Sequence, residues 1–161
     1  MCGEGGARAK QNQADASVPG PQDVIQRPTS IVIYRVHRGT LKLRGAADSD
    51  TLVDATRLAD ALLLEGCYRE ARSFSAQQSR VARRVLGSEN QDTLTLRRHY
   101  AVSLYNDDVS RLNEALAILE DSHQTARRVF GDDHPFTRSI QHKLSEAREC
   151  RAADDAADAA R

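Results

Sequence analysis

Histidines, cysteines, clustered arginines and paired carboxylates are the side chains here that could do chemistry, and their spacing decides which chemistry is open to them. His123, His134 and His142 lack the i, i+4 spacing that sets two imidazoles on one helix face for a metal ion. Cys2, Cys67 and Cys150 are odd in number, far apart and outside any Cys-x-x-Cys pattern, so reduced thiols are expected and a disulfide framework or zinc site is not. Asp107-Asp108 and Asp132-Asp133 could in principle share a proton. Each pair instead falls at a turn or linker with no identifiable partner, which points to turn and helix-start roles. Arg80, Arg83 and Arg84, and likewise Arg127 and Arg128, could meet phosphates. They sit at the ends of amphipathic stretches, where cations complement the helix macrodipole. No nucleophile elbow, phosphate-binding loop, dinucleotide fingerprint or zinc-protease pattern is present, and Gly3-Glu4-Gly5-Gly6 neither follows a strand nor opens a helix. The expectation is a protein without catalytic residues, metal or cofactor.

The composition narrows the partners. In 161 residues, 23 basic side chains balance 23 acidic ones, so no global field draws in nucleic acid or an anionic membrane. With 40% hydrophobic and only 4% aromatic residues, the chain reads as helix-rich and thinly cored, at most one domain. No apolar run approaches the ~20 residues of a membrane-spanning helix. The start lacks a secretory layout, and its glycine is at position 3 rather than the position 2 that myristoylation needs, so a cytoplasmic location is expected.

The elements that position these residues are repeated. Residues 1–29 are rich in Gly, Gln, Ala and Pro and are expected to be disordered. Residues 30–49, beginning Ser-Ile-Val-Ile-Tyr, leave three readings open: a short strand, a poor helix or the remnant of a degraded repeat. From Gly45 onward, Gly-Ala-Ala-Asp-Ser-Asp-Thr-Leu returns as Gly87-Ser-Glu-Asn-Gln-Asp-Thr-Leu at an offset of 42 residues. A third copy starts at Gly131, 44 residues further on, with the two extra residues in the turn around Asn106–Ser110. Each unit holds two amphipathic helices. Leu52, Ala55, Leu58, Ala59 and Leu62 mark the first up to Gly66, and a partner runs from about Tyr68 to Leu86. The repeat region spans 50–150, in units of about 50–91, 92–134 and 135–150. The Ala/Asp-rich tail 151–161 extends the last helix.

This pattern resembles the tetratricopeptide repeat (TPR) family, and within it the 42-residue repeats of kinesin light chains. The resemblance rests on Leu58-Ala59, Leu62, Gly66-x-Tyr68-x-Glu70-Ala71, Ala82-Arg-Arg-Val-Leu86-Gly87 and Asp92-Thr93-Leu94. The second copy adds Tyr100-Ala101, Asn113-Glu114-Ala115 and the linker Gly131-Asp-Asp-His134-Pro135-x-Thr137. Gln91 stands where that linker carries proline in the first copy. The resemblance implies an all-α fold, a short right-handed superhelix of antiparallel helix pairs (a TPR-like α-solenoid). It also implies close packing at Ala59, Ala71, Ala101 and Ala115, and a concave groove that binds a peptide segment of another protein, in an adaptor or scaffold role.

The first helix of each unit lines that groove in the family, and an asparagine often precedes the Leu-Ala pair. The matching positions here are Arg57, His99 and Lys143, with Arg98 and His142 beside them. They would form a basic line favouring acidic or phosphorylated segments, against the alternative of a solvated charged face. Two other readings compete with the adaptor. The chain could be a piece of a longer array or self-associate through the exposed face of its last helix, or it could regulate a partner enzyme.

Overall fold

The structure, a computed structural model, describes residues 28–160, so the expected disorder of residues 1–27 lies outside it. Six helices follow one another: α1 (Pro28–Arg44), α2 (Ser49–Leu64), α3 (Tyr68–Leu86), α4 (Gln91–Asp107), α5 (Leu112–Phe130) and α6 (Pro135–Ala159). A 3-10 turn, Val109–Arg111, carries the extra residues between α4 and α5. No strand occurs among the described residues, and the segment left open between strand and helix is α1, which takes in Pro28 and Thr29 as well.

Three joints repeat, and they show what the linker sequence does. Gly45, Gly87 and Gly131 close α1, α3 and α5 with φ of +88°, +90° and +88°, a backbone that side chains with a Cβ rarely adopt. Each donates its N–H to the carbonyl four residues earlier, on Leu41, Arg83 and Arg127, at 3.0, 3.1 and 2.9 Å. Three residues after each glycine comes the cap of the next helix. The Asp50 N–H donates to Asp48 Oδ1 at 3.0 Å, the Asp92 N–H to Asn90 Oδ1 at 2.8 Å and the Phe136 N–H to His134 Nδ1 at 3.2 Å. A side-chain acceptor here satisfies a helix-start N–H that would otherwise lack a partner. His134 is therefore a cap, and its ring also stacks on Phe130 with centroids 5.1 Å apart. The joints link α1 to α2, α3 to α4 and α5 to α6, and each helix packs on the next in sequence.

The core is unevenly shared. Leu94 and Leu104 of α4, Leu112, Leu116 and Leu119 of α5, and Phe136, Ile140 and Leu144 of α6 form one continuous cluster. The first three helices supply two smaller clusters, Leu52, Ala59 and Ala82 with Leu96 of α4, and Leu58, Leu62 and Ala71 with Ile33 and Tyr34 of α1 packed against them. Ala59, Ala71, Ala101 and Ala115 are all fully buried, as close helix packing requires.

The far end of the array is polar. Leu94, Ala101 and Leu104 of α4 pack toward α5, and the repeat-equivalent positions of α6 are Arg138, Ser145 and Arg148, none of them buried. Arg148 instead donates to Glu120 of α5 at 3.0 Å.

Candidate functional site

The first helices of the pairs as the family counts them, α2, α4 and α6, lie side by side, and between them runs a cleft of about 560 Å³. Three rows of repeat-equivalent residues build it: Asp60, Val102 and Glu146; Leu63, Tyr105 and Glu149; Leu64, Asn106 and Cys150. Because the three helices share one register, residues at one repeat position stack along one face. Arg98, His99, Lys143 and Tyr68 complete the lining.

The five expected groove residues separate. Arg98, His99 and Lys143 line the cleft, whereas Arg57 and His142 do not. Arg57 lies a turn away on α2, largely exposed, with Nη1 3.2 Å from Asp54 Oδ1. His142 is likewise largely exposed, and its Nε2 lies 3.0 Å from Glu146 Oε1. The cleft's centre falls about one turn nearer the C-terminal ends of the helices than the row chosen from the family pattern. Asp60, Leu63, Leu64, Tyr105, Asn106 and Glu149 were missed for that reason. The repeat register that relates 57, 99 and 143 relates these rows equally well.

The basic line is not free charge. Lys143 donates to Glu146 Oε2 at 2.8 Å, and Arg98 donates through Nη1 to Ser139 Oγ at 3.3 Å. Asp60, Glu146 and Glu149 bring three carboxylates to a cleft with only Arg98 and Lys143 as fixed cations. A purely acidic ligand meets repulsion as well as attraction there. The mixture arises because each helix carries its counterions within one turn or on the adjacent helix.

His99 sits at the bottom of this arrangement, 2% exposed. Its Nε2 is 3.5 Å from Asp60 Oδ1 and 3.1 Å from Arg98 Nη2. One ring nitrogen cannot both donate to the carboxylate and accept from the guanidinium, so the tautomer selects the partner. Burial pushes the imidazole pKa down, against the pull of Asp60, and keeps the ring neutral at pH 7. The hydrogen bond to His99 in turn holds the Asp60 carboxyl low. Burial is also the main cause that raises Tyr105 to about 12, aided by Glu146 and Cys150 nearby, so its hydroxyl stays protonated. The cleft therefore presents aliphatic surface, a phenol, an amide, a thiol and paired charges.

The remaining candidates have structural roles. Asp107 accepts from Arg72 at 2.5 Å, tying α4 to α3, and Asp108 Oδ1 accepts the Ser110 N–H at 3.0 Å at the start of the 3-10 turn. Asp132 pairs with Arg127, and Arg128 reaches Glu89 at 2.6 Å. No group of three or more His, Cys, Asp or Glu converges on a metal-sized site among the described residues.

Comparison with known proteins agrees with the repeat geometry where the core is densest. Among curated proteins no match to the chain was found. Residues 103–136, from the end of α4 through α5 to the first turn of α6, match the tetratricopeptide repeat family. The chain carries a repeat of the tetratricopeptide type on an all-helical scaffold, the kind of unit that serves protein interaction.

Proposed function

We propose that the protein is a non-enzymatic adaptor or scaffold that binds a peptide segment of a partner protein in the cleft between α2, α4 and α6. The observation that carries this reading is the concentration of three repeat-equivalent rows on one open face, with Leu63, Leu64, Val102 and Tyr105 as its apolar part. Leu64 is 83% exposed although it ends a helix whose other leucines are packed, and an exposed aliphatic beside polar groups that fix orientation is what a recognition groove needs. The mixed charges favour a ligand with an apolar anchor flanked by charges of both signs. A strictly acidic segment is a poorer fit. The 42-residue spacing supports likening this role to that of kinesin-light-chain repeats.

A lysate pull-down tests the reading, with the wild-type chain beside Leu64→Glu and Lys143→Glu, all first shown to be equally helical. Specific partners that both variants lose support the cleft. Retention of the same partners by both variants would place recognition elsewhere on the molecule.

A further inference from the structure

The helix α1 has the position of a second-type helix, and no first-type helix precedes it among the described residues. It ends in the same glycine joint as α3 and α5 and packs on α2 as they pack on α4 and α6. Its repeat-equivalent residues show what such a helix would cover. Val32 corresponds to Phe74 of α3 and Ile118 of α5, which both pack into the core, and Val36 corresponds to the part-buried Gln78 and the fully buried Ser122. In α1 these two valines are 61% and 50% exposed. Gly39 follows one turn later with nothing near its Cβ position, so a neighbouring backbone could approach closely there.

The charge around this stripe is one-sided. Pro28–Arg44 contains Arg35, Arg38, Lys42 and Arg44 and no acidic residue. Arg44 pairs with Asp48 and Asp50, but Arg35, Arg38 and Lys42 have no ion-pair partner among the described residues. Inside the array, adjacent helices do answer such charges, as Arg72 of α3 meets Asp107 of α4 and Arg97 of α4 meets Asp121 of α5. The preceding sequence is a poor source for such a helix. The repeat register places Lys10, Gln13, Ser17 and Gly20 where α2 has Leu52, Ala55, Ala59 and Leu62. A second copy offering its own α1 would set cation against cation.

We infer that the outer face of α1 receives an amphipathic helix of a partner protein, aliphatic on one side and acidic along its edge, in the place that α2 holds against α3. The surface is built by α1, none of whose residues line the peptide cleft.

The test uses a labelled synthetic peptide with the sequence of residues 49–64, a first-type helix with Asp50, Asp54 and Asp60 against a single Arg57. A second peptide carries lysine at those three aspartates. Titration with the full chain, followed by fluorescence anisotropy, is expected to give saturable binding of the acidic peptide and about tenfold or more weaker binding of the lysine peptide. Val36→Asp is expected to weaken the acidic peptide by a similar factor, while Arg138→Glu on α6, at the other end of the described array, leaves it unchanged. Val32→Ser, a milder change at an exposed site, keeps the result interpretable if Val36→Asp loses helicity. Equal binding of both peptides, no saturation by either, or indifference to Val36→Asp and Val32→Ser would overturn the proposal. So would a reversible dimer of the chain that Val36→Asp disperses, since the occupant would then be a second copy.

Discussion

The helices α4 to α6 and the helices α1 to α3 are built on the same repeat, yet they are held together differently. Around α5, Leu116, Leu119 and Ser122 are buried, and a single cluster runs from Leu94 to Ala147. At the equivalent positions α3 carries Arg72, Ser75 and Gln78, and of these only Ser75 is fully buried. Ser75 Oγ there has no hydrogen-bond partner, and neither have Thr51 Oγ1, His37 Nδ1 and His99 Nδ1 around α2. Where α5 buries Leu119, α3 buries Ser75, although both halves hold buried polar side chains, Thr93 and Ser122 of the second among them. In a repeat array, stability is close to a sum over neighbouring interfaces, so the two halves need not be equally firm. The match to the tetratricopeptide repeat family, at residues 103–136, falls in the half whose core is continuous. The unpartnered valines of α1 lie in the other.

The strongest way to break this contrast is to hollow out the denser half. Leu119 is fully buried, and Leu119→Ala is expected to cost about 2–5 kcal/mol, measured by urea denaturation followed by circular dichroism. A loss well below this range would mean that the C-terminal core is no firmer than its counterpart.

Acid should act around α2. Two buried histidines, His37 of α1 and His99 of α4, pack against that helix, and burial pushes both imidazoles below their ordinary pKa, as it does for the more accessible His123 of α5. In the unfolded chain each regains an ordinary pKa near ~6.5 and binds a proton that the folded form excludes. Stability is therefore unaffected by these groups above about pH 6.5 and falls as pH drops below it, by at most about 1.4 kcal/mol per pH unit for each ring. The fall ends once pH passes the folded pKa. Hydrogen exchange at pH 5.5 and 7.5 should show α1 and α2 losing protection before α5 and α6, and His99→Gln should flatten part of the dependence. Uniform loss of protection along the chain would count against a pH-sensitive N-terminal half.

The smallest effect has the opposite sign. Ser75→Ala removes a buried hydroxyl without a partner, and the melting midpoint is expected to stay level or rise, by up to about 1 kcal/mol in stability. A clear loss would show that the hydroxyl has a partner, such as an ordered water, and that the first half is better satisfied than its side chains indicate.

Much of this architecture was legible because it is written locally. Glycine at 45, 87 and 131, a capping acceptor three residues later and apolar residues at helical spacing state where helices stop, start and face. The helix Tyr68–Leu86 follows from that pattern to the residue. The segment Pro28–Arg44 was not legible in the same way. Its β-branched residues alternate in part, and packing on α2, with the Ser30 N–H donating to Glu65 Oε1 at 3.1 Å, accompanies its helical form. The cleft was half legible. The register identified which residues share a face, and Arg98, His99 and Lys143 are indeed together, but the row used was displaced from the centre of the groove.

By itself, then, the sequence determined the helical repeat, its joints and its phase, since these depend on backbone conformation and on neighbours within a few residues. The tertiary structure alone decided where the three first-type helices diverge enough to open a cleft, and which cations there meet carboxylates one turn away or across an interface. It also decided that, among the described residues, α6 turns polar side chains outward and α1 an exposed apolar stripe. Those outcomes depend on which side chains face one another across helices distant in sequence, and no local pattern encodes that.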